Sequence, residues 1–559
     1  MAIDHGVRPA ADSDSFAPSG WARARPRRGR LAAGIAVGVV VVAIGLPVVA
    51  VAVRSVWVDG SIDAEAIGRI LGEPRTWRLI AVTVGQAVVS AAITIVIGVP
   101  VAWALSRFRF PGRRPLRTLV VVPFVLPSVV VGAAFATVLG PSGPIDLRGT
   151  WFAVLAAHLC FNIAVVVRVV GAAVGGLDPG TEDAARTLGC STLKAARRVV
   201  LPAIRPAVMS AAVVVFLFCL ASFGVIVILG GGSVTTVEVE IWVRATRQFD
   251  LSGAAVLAVI QVVTVVAALA LHAHFARRAP VVSGARRVPQ RAPRGGLEWS
   301  AVAFASLVAL AVAGVPLAAL VERSLRVPGG HGLEHWTNLG SVTAGTGLSI
   351  SPLHAVLTSI ATATTAAVIA VVVAVPAASA VARRPGGRAD RVLLLPLGVS
   401  ATTIGLGLLL LVGRPPIDLR GSWWLVPLGQ ALVAMPLVVR VVAPALASIP
   451  RSVPEAASLL GASPRDRWWR VDLPLARPAI GAGAGLALVA CLGEFGATAF
   501  LTRSDRVTVP VAIERLMSRP GSAGFGQAMA LSCILVLLCA GVVALIDHLA
   551  ADDGFHLGF

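Results

Sequence analysis

Two stretches of this chain put the same small-residue motif at the same spacing. Asp183-Ala184-Ala185 is followed, after three residues, by Gly189 and then by Leu201-Pro202. Glu455-Ala456-Ala457 is followed in the same way by Gly461 and Leu473-Pro474. A small-residue face lets a helix seat closely in a groove, a glycine ends that helix, and a proline ends the next. The chemistry offered is docking onto a partner. A second set of residues lies inside long apolar runs. Glu494, in Cys491-Leu492-Gly493-Glu494-Phe495-Gly496, corresponds to Ser222 in Ala221-Ser222-Phe223-Gly224, and Arg168 corresponds to Arg440 within two copies of VVRVV. An ionisable group at such depth costs about 2.5 kcal/mol or more and faces protein or water by default. Glu494 reads either as the partner of an arginine or as a group that draws cations to a path. Arg168 and Arg440 read either as lining that path or as reaching to headgroups or anchoring a loop. No catalytic constellation is expected: the nine His are scattered and acids within apolar runs are few. The only lysine, Lys194, lacks the glycines of a phosphate-binding loop, so this chain is not expected to bind ATP. The six cysteines show no C-x-x-C spacing, and neither metal nor cofactor is implied.

The elements that must position these residues are read from the apolar runs. Of 559 residues 57% are hydrophobic and 14% charged, with a mean hydropathy of +0.85. Soluble domains run nearer 45–50% and about 25%, so an ordinary soluble domain, a disordered chain and a coiled coil are excluded. Twelve stretches are long enough to cross a bilayer core of about 30 Å. They are 31–53, 79–105, 119–139, 151–175, 207–229, 254–271, 299–321, 355–381, 393–413, 423–447, 479–501 and 526–546. With both termini in the cytoplasm, the inside segments carry roughly twice the Lys and Arg of the outside loops. The net charge of +20 is then explained by basic loops at a lipid bilayer, not by nucleic acid.

The chain repeats itself. Pro144–Trp151 reads PIDLRGTW and recurs as PIDLRGSW at Pro416–Trp423, 272 residues later. The same offset relates Leu188-Gly189 to Leu460-Gly461, Arg205-Pro206 to Arg477-Pro478 and Phe223-Gly224 to Phe495-Gly496. Six spans per half is an even number, so the repeats run parallel and are related by a pseudo-twofold axis along the membrane normal. The expected layout is a basic segment 1–30, a first half 31–275, a basic linker 276–298 and a second half 299–559.

Each repeated motif lies on an inside loop that parses as two short helices. Asp178-Pro179 starts the first and Gly189 stops it; Ser452 and Pro454 start its counterpart and Gly461 stops it. Ser191 and Ser463 are natural N-caps for the helices that follow. A DNA-binding helix pair is disfavoured because spans pin both of its ends.

The pattern E-A-A, three residues, Gly, then Leu-Pro resembles the coupling loop of importer-type permeases of ABC transporters, in both halves. The first copy differs in having Asp183 where glutamate is usual. The resemblance implies an all-α membrane fold of about 12 spans in two tandem halves, without enzymatic activity. It also implies two copies of a cytoplasmic ABC ATPase, docked on Asp183, Ala184, Ala185 and Gly189 and on Glu455, Ala456, Ala457 and Gly461. An extracytoplasmic substrate-binding protein and a site in the cell membrane follow from the same likeness. Ala221–Gly232, Thr235–Trp242, Arg109–Arg113 and His158…Asn162 look like thiamine permeases. Fused ferric-iron permeases share the two-half layout and the Glu-Phe-Gly run, so iron stays open as cargo. An ion-gradient transporter is the rival from another class.

Overall fold

The computed structural model describes residues 27–276 and 290–552, apart from 59–60, 63, 179, 181–183, 186, 343–344, 346, 384–386, 388–398, 415–416, 451 and 520. The molecule is built from helices, with three two-residue antiparallel ribbons among the described residues. In hydrocarbon every backbone group needs a partner within its own segment, which a helix supplies. Nine described helices are long and apolar enough to cross a membrane, and two bent pairs raise this to eleven. The twelfth stretch, 393–413, is described from 399 on and contains the short apolar helix Ala401–Val412.

Three stretches expected as continuous spans are broken. The 119–139 run is Arg113–Val125 followed by Ser128–Leu139, bent by 113°. The break falls at Leu126-Pro127, where both residues are extended and the proline brings no N–H to carry the helix on. The 207–229 run is Leu201–Leu220 followed by the short helix Gly224–Leu229. The 479–501 run lies within Arg477–Leu492 and Thr498–Leu501, with Pro464–Leu475 bent by 69° against the former. Run length on an apolar scale does not see these breaks, because the residues at them are themselves mostly apolar.

The two halves exchange their first helices. Arg27–Val56 packs against Pro352–Ala382 and Ala401–Val412 of the second half as well as Leu251–Ala276 of its own. The helix running from Gly296 to Leu325 packs against Pro74–Arg107 and Ser128–Leu139 of the first half and Ser522–Asp552 of its own. Each exchanged helix ends in the same short ribbon, Trp57–Val58 with Ser61–Ile62 and Arg326–Val327 with Gly330–His331. Gly407 shows how close the approach is, since a Cβ there would lie 2.3 Å from the Pro47 carbonyl oxygen. One hydrophobic core runs through both halves as a result.

The end of the expected linker is fixed to the first half. Arg291 pairs with Phe108 in a parallel bridge and forms a bidentate ion pair with the buried Glu298, which already belongs to the Gly296–Ala309 helix.

Candidate functional site

The repeated loops form matching projections. In the second half Ser452–Leu459 is a helix with no buried residue. Its end is a Schellman turn: the Ala462 N–H donates to the Ala457 carbonyl at 3.0 Å and the Gly461 N–H to the Ser458 carbonyl at 3.1 Å. That closure needs a left-handed residue, and Gly461 has φ +84°. The first half repeats it. Cys190 donates to the Ala185 carbonyl at 3.0 Å, and Gly189 also has φ +84°. Asp183 lies outside the described residues. Ala184 and Glu455 are exposed, Ala456 is exposed, and Ala185 and Ala457 are half-buried. The turns lift leucines into solvent: Leu188 is 85% exposed, and Leu459 and Leu460 are each 89% exposed. Burying such a side chain is worth about 2 kcal/mol.

After each turn a serine caps the next helix. The Ser463 hydroxyl accepts from the Asp466 N–H at 3.2 Å, and the Ser191 hydroxyl from the Lys194 N–H at 3.4 Å. The Ser463 hydroxyl also donates to the Asp466 carboxylate and holds it below the usual carboxylate range. Both helices then widen into a π turn at equivalent positions, Ala196–Val200 and Trp468–Asp472, two residues ahead of Pro202 and Pro474. A proline offers no N–H to the carbonyl four residues back and crowds it, and the wider turn relieves both.

A second site lies at the interface of the halves. Phe223 and Phe495, equivalent in the repeat and both buried, stack at 4.9 Å with planes 24° apart. The pseudo-twofold axis therefore passes between them. They sit at the two helix breaks, where a carbonyl loses its helical partner. The Cys219 carbonyl accepts from the Gln86 amide at 2.8 Å, and the equivalent Cys491 carbonyl from the Gln430 amide at 3.1 Å. Gln86 and Gln430 come from different helices of their halves, and no motif in the sequence marked either one. Ser222 bonds the buried His158 at 2.8 Å, and His158 bonds Ser90 at 2.9 Å. Glu494 is buried, and its two carboxylate oxygens accept from the Ala497 N–H at 2.6 Å and the Thr498 N–H at 2.9 Å. It thus caps the short helix after the break. Glu238 crosses the interface: it accepts from Gln261 of its own half at 3.1 Å and from the Thr402 hydroxyl of the other. The expected path residues do not converge. Ser222 and Glu494 flank the aromatic stack, whereas Arg168 and Arg440 are exposed on their helices, toward the coupling-loop ends.

The repeat, the fold and the loops agree with a comparison against protein families. Residues 94–280 and 370–552 each match the binding-protein-dependent transport system inner membrane component. The chain belongs to this family. It is a multi-pass permease subunit of an ABC-type transport system and not an enzyme. It is 27% identical over 77% of its length to a probable ABC transporter permease protein of Sinorhizobium fredii, 80% of which is covered. It is 26% identical over 85% of its length to a thiamine transport system permease protein of Brucella abortus, 88% of which is covered. One part, 34% of the chain, is 32% identical to 72% of a sulfate transport system permease protein of Salmonella typhimurium.

Proposed function

We propose that this permease moves thiamine into the cytoplasm across the cell membrane, driven by two copies of a cytoplasmic ABC ATPase and supplied by an extracytoplasmic binding protein. The observation that carries the ATPase reading is the duplicated projection: an exposed helix closed by a glycine at φ +84°, with bare leucines at its tip, in both halves. Asp183, Ala184, Ala185 and Gly189 form one docking element and Glu455, Ala456, Ala457 and Gly461 the other. Both termini are cytoplasmic in this reading, supported by the basic inside loops. The halves run 31–275 and 299–559. The cargo reading is supported by the relatives that span most of the chain and by the runs around Phe223. Ser222 and Glu494 then flank the waist of the path, and Arg168 and Arg440 border it toward the cytoplasm.

The test is uptake of labelled thiamine by vesicles holding this chain with its ATPase and binding protein, with ferric iron and sulfate as competitors. Uptake should require ATP hydrolysis and survive an uncoupler. Glu455→Arg should abolish it while the chain still inserts. Uptake that survives loss of the ATPase and collapses with an uncoupler would overturn the reading in favour of an ion-gradient transporter. Iron or sulfate entry without thiamine entry would reassign the cargo and leave the architecture standing.

A further inference from the structure

Resting on the permease reading, we propose that the cleft between the halves on the face opposite the coupling loops is a receiving site for an aromatic organic cation, held in this state by Arg247 as an internal stand-in. The face is fixed by the Pro74–Arg107 helix. Arg107 lies beside Asp178 at the start of the first coupling loop, whereas Arg75, at the other end, meets Glu240 at 3.5 Å. Thirty-odd residues of helix separate these ends by about 50 Å.

Beside Arg75 and Glu240 opens a cleft of about 720 Å³, lined from the first half by Trp242 and Arg247 and from the second by Glu514. Trp242, Arg247 and Glu514 also line the adjoining lobe, which reaches Phe495 of the waist. Trp242 and Glu514 occupy equivalent positions in the repeat. The same site in the fold therefore offers an indole from one side and a carboxylate from the other. The Arg247 guanidinium joins them: it lies 4.7 Å from the centre of the Trp242 ring and 3.7 Å from the Glu514 carboxylate. Indole face and carboxylate are the two groups that bind an organic cation, one through its quadrupole and one through its charge. Both are mostly buried, while Arg247 itself is 59% exposed in its side chain and free to swing outward. Trp242 also meets Phe223 edge to face at 5.9 Å. A cation that displaced Arg247 would rest on the aromatic group that closes the waist.

Arginines on both lobes, Arg75 and Arg148 on the first and Arg54, Arg420 and Arg515 on the second, would favour an oxyanion, so charge sign is what the experiment reads. Vesicles with the complete transporter are given thiamine or sulfate as probes. Trp242→Ala and Glu514→Gln should each raise the KM for thiamine about 10-fold, the loss of one cation contact. Trp242→Phe should restore it to within about 3-fold, and Arg247→Ala should lower it. Thiamine uptake with wild-type KM in Trp242→Ala and Glu514→Gln would overturn the site and leave the permease reading intact. ATP-driven sulfate uptake without thiamine uptake would overturn the site and the cargo together. If the vesicles carry neither probe, quenching of tryptophan fluorescence by thiamine in the purified complex decides: quenching lost in Trp242→Phe supports the site, and no quenching overturns it.

Discussion

The two halves agree at the repeated loops and differ where they face each other. The repeated loops match in backbone where both are described: two glycines at the same φ, each followed by a residue bonded back to the helix, two serine caps and two π turns ahead of two prolines. At the waist the stacked phenylalanines, the glycines after them and the cysteines before them are shared. Around them Ser222 answers Glu494, His158 answers Gln430, Trp242 answers Glu514 and Glu238 answers Pro510. A repeat keeps its symmetry where each copy meets an identical partner, and two ATPase subunits would be such a partner. It loses symmetry where both copies face one small cargo that has none. The difference supports the proposal that the loops couple energy and the waist selects cargo.

The comparison is broken most directly at the loops. Ala185→Arg and Ala457→Arg each place a long charged chain on the proposed docking face, and each should cut ATP-driven uptake by about 100-fold or more, the cost of losing a buried contact of 2–3 kcal/mol. Equal losses would support two equivalent docking sites. A loss confined to Ala457→Arg would show that the first loop, with Asp183 in place of glutamate, no longer carries force. Next in size is the exchanged helix. Gly407→Val should destabilise the chain by about 3 kcal/mol in detergent melting, because its Cβ has no room against Pro47. Gly38→Val, with open space around it, should leave the melting temperature nearly unchanged. Equal shifts would argue against the exchange of first helices.

At the waist the expected term is smaller. In a double-mutant cycle of Phe223→Ala and Phe495→Ala, the coupling energy should be about 1 kcal/mol, that of an offset aromatic pair. The single variants should also let a small cation leak through vesicles without ATP. Zero coupling with no leak would mean that the stack is packing only and does not close a path.

How much of this was legible in the sequence follows the same division. The loops could be read because their geometry is local: Gly189 and Gly461 stop a helix wherever they occur, and the repeat marks them twice. The spans could be read because backbone in hydrocarbon must be helical. The breaks at Leu126-Pro127 and at Ser222 were missed, since an apolar run does not reveal where its helix is interrupted. Gln86 and Gln430 were missed for a related reason: each serves a carbonyl on another helix, and no spacing along the chain reports it. Glu494 was read as an arginine's partner or a cation-drawing group, whereas its carboxylate hydrogen bonds go to the N–H groups of its own next turn. The exchange of first helices is a tertiary fact that neither half's pattern contains.

The smallest predicted effect tests the loops at their finest difference. Ser463 and Ser191 cap equivalent helices, but three residues on the second half has Asp466 and the first has Lys194. A carboxylate there completes a reciprocal cap and suits the positive end of the helix; a lysine does neither. Ser463→Ala should therefore cost about 1 kcal/mol and Ser191→Ala about half of that, read as faster backbone hydrogen exchange confined to each loop. If the two costs are equal, Asp466 adds nothing to the cap and the loops are energetically as symmetric as their turns. If they differ as expected, the second loop is the stiffer lever. A stiff lever passes a movement of its partner into the membrane with less lost to bending, which would make the second half the leading one in the transport step.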